Sequence, residues 1–149
     1  MRYLIDTNIL VRLSNSDDPK HGVASEAVER LTLRGGRLYL TPQTLIEFRG
    51  VATRPKAVNG LGFSLIEAEN QMREFESVFP LLEDTPAIFP LWKNLVAAAG
   101  VIGKQVHDAR LVAVCHAHGV THLLTFNGPH FARLTGFGPG IGVVDPAAV

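Results

Sequence analysis

Five short apolar runs, each closed by polar or turn-forming residues, alternate along this chain with stretches whose apolar residues recur every three or four positions. That alternation constrains the fold more than any other feature. The runs are Arg2-Tyr3-Leu4-Ile5, Arg37-Leu38-Tyr39-Leu40, Val78-Phe79-Pro80-Leu81-Leu82, Thr121-His122-Leu123-Leu124-Thr125 and Ile141-Gly142-Val143-Val144. Between them lie five helical patterns: His21 to Leu33 before Gly35-Gly36, a helix opened by Thr41-Pro42, a third from Ser64 to Ser77, a fourth from Thr85-Pro86 to Ala99, and a fifth from Val106 to His118 with Gly119 at its end. Strands alternating with helices predict an α/β fold, a three-layer α/β/α sandwich around a mostly parallel sheet. Ligands are then expected beyond the carboxyl ends of the strands. At 149 residues the chain is expected to form one domain, 1–149.

Charge and cysteine usage narrow the function classes. Lys and Arg number 14 and so do Asp and Glu, so a basic arm that binds nucleic acid through its whole surface is not expected. The single cysteine, Cys115, forms no internal disulfide and no zinc knuckle, and suits a reducing compartment. The opening residues lack the apolar core of a secretory signal, and no run approaches the length of a membrane helix. A cytoplasmic protein without a membrane partner is expected.

The predicted topology places Asp6 and Asn127 just past two strand ends on one edge of the sheet. Glu47 and Asp108 fall in the early turns of helices that start near that edge. Each has an ordinary alternative: Asp6 as an N-cap, Glu47 as a solvated helix acid, Asp108 as a first-turn acid favoured by the helix dipole. Together, three carboxylates facing one cleft with no nearby Lys repel one another unless a cation neutralises them. Oxygen ligands favour Mg²⁺ or Mn²⁺, and the scattered histidines (His107, His116, His118 and His122) do not form a zinc set. Such a site suits phosphoryl-transfer chemistry.

Several other features read more simply. His107 and His130 flank the candidate acids and read as surface residues within reach of a nucleic acid. Arg49, Arg54 and Lys56 form a modest basic cluster beside Glu47. The alternating Gly136, Gly138, Gly140 and Gly142 precede a strand instead of joining a strand to a helix, so they read as a turn and not a dinucleotide loop. Cys115 and Trp92 lie on apolar helix faces and read as core.

Read together, Leu4-Ile5-Asp6-Thr7-Asn8-Ile9-Leu10, Leu45-Ile46-Glu47-Phe48, Val51-Ala52-Thr53-Arg54-Pro55, Asn59-Gly60-Leu61-Gly62, His107-Asp108-Ala109-Arg110-Leu111-Val112-Ala113 and Leu123-Leu124-Thr125-Phe126-Asn127 resemble PIN-domain ribonucleases, most of all the VapC-type toxins of toxin–antitoxin pairs. Each motif is short; their order and spacing over nearly the whole chain carry the resemblance. It implies an endoribonuclease that uses Mg²⁺ or Mn²⁺ to cleave single-stranded RNA, a partner antitoxin and a homodimer. It also implies Asp6, Glu47 and Asp108 as catalytic metal-binding acids, with Asn8 and Thr125 orienting them. Where the family often has a fourth acid this chain has Asn127, which offers a carbonyl ligand without charge, so a second metal is in question. A non-catalytic RNA- or protein-binding module on the same fold is the alternative reading. An aspartyl-nucleophile phosphohydrolase built on Asp6 fits less well, because position 8 is Asn. Exposed apolar residues around Leu61 and Phe63 are the expected groove for a partner segment.

Overall fold

The computed structural model describes residues 1–149. Its elements are β1 (Arg2–Ile5), α1 (Thr7–Leu13), α2 (His21–Leu33), β2 (Arg37–Tyr39), α3 (Pro42–Thr53), α4 (Leu65–Val78), α5 (Ile88–Ala99), α6 (Gln105–His118), β3 (His122–Leu124), α7 (Gly128–Phe131) and β4 (Gly142–Val144). The four strands form one sheet in the order β2-β1-β3-β4, every pairing parallel. Leu4 of β1 therefore pairs with Tyr39 on one side and Leu123 on the other.

The pleat sorts the strand residues into two cores. Tyr3, Ile5, Leu38 and Leu124 face the layer of α1 to α4, where they meet Ile9, Leu45, Phe48 and Phe75. Leu4, Tyr39 and Leu123 face the opposite layer, where they meet Leu95, Leu111, Val112 and Phe131. Helices on both faces of a parallel sheet give the expected three layers. Cys115 belongs to the second core, and burial pushes its thiol up to about 12, so it packs as a small apolar group.

Local signals set most helix ends. Thr41 caps α3 by accepting from the Thr44 N–H, while the Thr44 hydroxyl side chain accepts from the Thr41 N–H and closes a capping box with Pro42 in the first turn. Ser64 caps α4 through the Glu67 N–H. Gly119 ends α6 at φ +63°, a conformation that disfavours side chains with a Cβ.

Three expectations are corrected. The run 78–82 is not a strand. Val78 completes α4, the Phe79 N–H bonds back to the Phe75 carbonyl, and Pro80 has no N–H to give a ladder, so only a single parallel bridge joins Leu81 to Leu40. The helix expected from Thr85-Pro86 begins at Ile88 instead, without a side-chain cap. Leu61 and Phe63 are not an exposed groove, because both pack against the first core as the 59–63 loop folds back onto α3 through bonds from Leu61 N–H to the Val51 carbonyl and from Phe63 N–H to the Ala52 carbonyl. That loop also requires Gly60, since a Cβ there would collide with the Arg54 carbonyl. No helix is long and apolar enough to cross a membrane.

Candidate active site

Asp6 is the first residue past β1, at the carboxyl edge of the sheet. Its N–H continues the ladder to the Leu124 carbonyl at 3.0 Å, and its side chain turns to cap α1, with Oδ1 accepting from the Thr7 N–H at 2.7 Å. Being a cap does not exhaust the carboxylate. Oδ2 accepts from the Thr125 hydroxyl at 2.7 Å and from Asn8 Nδ2 at 3.2 Å. Asn8 at the start of α1 and Thr125 past the end of β3 thus clamp Asp6, and the Asn127 N–H donates to the Thr125 Oγ1 at 3.0 Å.

Glu47 stands on α3, one residue before the buried Phe48. The Thr7 hydroxyl donates to Oε2 at 2.7 Å and Gln43 Nε2 donates to Oε1 at 2.9 Å. Gln43 also donates to the His107 carbonyl at 2.9 Å and accepts from Arg110 at 3.1 Å, which ties α3 to α6. Asp108, in the first turn of α6, receives no hydrogen bond and is half-buried. All three acids and Asn127 line a single cleft of about 330 Å³, together with Arg12 and Asn59. The structure brings together every acid that the sequence nominated.

The electrostatics follow from this burial. Asp6 is only 7% exposed, and desolvation lifts its pKa to about 6 despite the hydrogen bonds from Thr125 and Thr7, with the charges of Asp108 and Glu47 adding to the rise. Asp108 is also raised, first by desolvation and then by Glu47, against the opposing charges of His130 and His107. The four ion pairs of the protein join Arg12 to Asp18, Arg30 to Glu26, Arg49 to Glu69 and Arg110 to Asp84. None involves Asp6, Glu47 or Asp108. Three carboxylates without a basic partner, one of them buried, form an oxygen donor set that fits a hard divalent cation. They do not close into a ready-made cage of three His, Cys, Asp or Glu side chains.

Sequence reasoning named Asn8 and Thr125 beside Asp6 but missed the residues that support Glu47. Thr7 and Gln43 hold Glu47, and the i,i+4 spacing of Gln43 and Glu47 was the available signal. Arg12 reaches the cleft while held by Asp18 at 3.1 Å, and Asn59 lines it from a left-handed backbone conformation (φ +62°); the Asn59-Gly60 pair marks a turn but not its position. The basic cluster expected beside Glu47 divides. Arg49 is taken up by Glu69, and only Arg54 borders a shallow groove with Thr7 and Glu47. Ile46, beside Glu47 on α3, is 69% exposed.

Comparison with known proteins places this architecture. The PIN domain profile matches residues 3–136. Among solved structures, VapBC2 from Rickettsia felis, bound to a DNA fragment from their promoter, superposes with a TM-score of 0.70 at 19% identity, covering 97% of this chain and 98% of that one. FitAcB from Neisseria gonorrhoeae gives 0.69 at 16% identity, covering 99% of each. VapC20 from Mycobacterium tuberculosis, a sarcin-ricin loop cleaving toxin, gives 0.61 at 19% identity, covering 87% of this chain and 93% of that one. At these identities the likeness is one of fold. A search of the curated proteins finds no match. With the profile spanning all four candidate site positions and nearly the full length, the chain belongs to the PIN domain family.

Proposed function

We propose that this chain is a Mg²⁺- or Mn²⁺-dependent endoribonuclease that hydrolyses phosphodiester bonds of single-stranded RNA, and that it is the cytoplasmic toxin of a type II toxin–antitoxin pair. The observation that carries the reading is the set of three carboxylates, unpaired with any cation, at the carboxyl edge of the sheet. Asp6, Glu47 and Asp108 would hold the metal, with Thr125 and Asn8 fixing Asp6 and with Thr7 and Gln43 fixing Glu47. When bound, the cation shields phosphate oxygens and makes water a better nucleophile. Asn127 is an amide and accepts no proton at neutral pH, so its role is to position. Base duty then falls to one of the three carboxylates or to the water that the cation would polarise.

Cleavage of a mixed single-stranded RNA pool at several Mn²⁺ concentrations tests this reading. Wild type is expected to cut in either metal. Asn127→Asp should lower the Mn²⁺ needed by adding charge, and Asn127→Ala should slow cleavage by about 10- to 100-fold without abolishing it. Asn127 and the open arrangement of the acids favour one competing reading, a binding module that keeps the fold. That reading takes over if the free wild-type protein cuts no RNA in Mg²⁺ or Mn²⁺.

The antitoxin half of the proposal draws support from the structural relatives, which include VapBC and FitAcB. The large apolar residues left exposed from α3 to the start of α4 are Ile46, Val58, Leu65 and Ile66, not Leu61 and Phe63. Purification after expression with the neighbouring genes should recover a small protein in fixed stoichiometry. Recovery of the bare chain while the adjacent gene is expressed argues against a partner.

A further inference from the structure

We propose that the aromatic pocket between α5 and the start of α6, walled by Phe89, Trp92, Val106, His107 and Arg110, is a nucleobase subsite that holds one base of the RNA beside the scissile bond. This inference rests on the reading of the acid cleft as a ribonuclease site.

Phe89 is 64% exposed while its neighbour Ile88 is buried, so α5 presents an aromatic ring to solvent next to the helix face that packs inward. The Phe89 ring stacks on Trp92 with centroids 5.8 Å apart and planes 23° from parallel. Trp92 is not free to swing, because its Nε1–H donates to the Val106 carbonyl at 2.7 Å. The result is a rigid aromatic platform over a cavity of about 340 Å³, within the size range of small-ligand sites. Flat apolar rings are the surface on which unpaired bases stack.

Continuity with the acids makes RNA the occupant. The turn of α6 that carries Asp108 also carries Val106 and His107, so the pocket wall and the metal-binding acid are three residues of one helix. His107 and Arg110 border this pocket and also a second cavity, lined by Gln43, Glu47 and the Asp84 carboxylate that pairs with Arg110, and Glu47 in turn lines the acid cleft. No acid lines the aromatic pocket; its charged or titratable members are His107 and Arg110, and Arg110 is held in place by Asp84 at 3.0 Å and by Gln43. A phosphodiester running from the acids to the platform would pass the guanidinium.

Trp92 is the chain's only tryptophan, so its fluorescence reports on the pocket alone. A single-stranded RNA hexamer, which the proposed chemistry leaves intact in metal-free buffer with a chelator, should quench it saturably there. Phe89→Ala should weaken that binding by about tenfold or more and raise KM for cleavable RNA far more than it lowers kcat, and Phe89→Tyr should restore both. If wild type cleaves RNA but the hexamer causes no quenching and Phe89→Ala leaves KM unchanged, the subsite is wrong and the ribonuclease reading stands. If wild type neither binds nor cuts RNA, the ribonuclease reading fails and the subsite with it. If Trp92 emission instead changes with protein concentration alone, and Phe89→Ala abolishes self-association in sedimentation, a second copy covers the pocket and the proposal is overturned.

Discussion

An Asp6→Asn protein is expected to lose RNA cleavage by at least about a hundredfold and, at the same time, to be more stable than wild type at neutral pH without metal. The two effects have one cause. Asp6 is buried among apolar strand ends and beside two other acids, and its carboxyl titrates near 6 instead of the usual 3.8. The folded state therefore holds the proton more tightly than the unfolded state. Below pH 4 both states are protonated and no penalty exists; as pH rises from about 4 to 6 the native protein loses stability, and above 6 the loss is complete, on the order of 3 kcal/mol. Asn keeps an oxygen for the Thr7 N–H, but its NH2 meets Asn8 Nδ2 and a Thr125 hydroxyl that already accepts from Asn8 and the Asn127 N–H, so these side chains must turn and the gain falls short of the full penalty. Denaturant melts across pH 4 to 7.5 should show the stability advantage of the Asn variant growing with pH. Added Mg²⁺ should narrow the gap by stabilising wild type alone. Calorimetry should show metal affinity collapsing in Asp6→Asn, Glu47→Gln and Asp108→Asn. Unchanged affinity in all three would sink the shared site, and an Asp6→Asn protein that cuts RNA at the wild-type rate removes Asp6 from it.

Phe48→Ala is expected to be the most destabilising single core change near the site, by about 3–5 kcal/mol. Phe48 is fully buried and meets Phe75 edge to face at 5.1 Å, so it anchors α3 between the sheet and α4. Removing the ring leaves a cavity that rigid strands on one side and α4 on the other cannot collapse to fill. For a domain of this size the melting midpoint should fall by about 6–20 °C. Because Glu47 is the preceding residue, the metal-dependent rise in midpoint should shrink as well. A fall of less than 3 °C would mean that the interior here repacks freely and that Phe48 does not anchor α3.

Much of this protein was legible from residues close together in the chain. The boundaries of α2 at His21 and Leu33, the Thr41 and Ser64 caps and the Gly119 terminus depend on contacts within four residues, and such contacts leave a signature in order and spacing. Asp6, Glu47, Asp108 and Asn127 were readable for a related reason. Parallel strands put all their carboxyl ends on one edge, so any polar residue just past a strand, or early in the following helix, arrives at the same rim.

Tertiary structure decided the remainder. The sequence offered no means to know that Thr7 would donate to Glu47 forty positions away, or that Gln43 would bridge Glu47 to the His107 carbonyl across 64. Periodicity also failed where packing overrode it. Leu61 and Phe63 look exposed yet fold back onto α3, and Val78 to Leu82 reads as a strand until α4 claims its first residue and Pro80 withholds an N–H. Trp92, which reads as core, is only half-buried and walls a pocket. Local order encodes which elements form and which edge collects the acids, because those depend on backbone geometry over a few residues. Which side chains orient each acid, and which apolar groups stay uncovered, depends on how distant elements dock, and no short stretch of sequence contains that information.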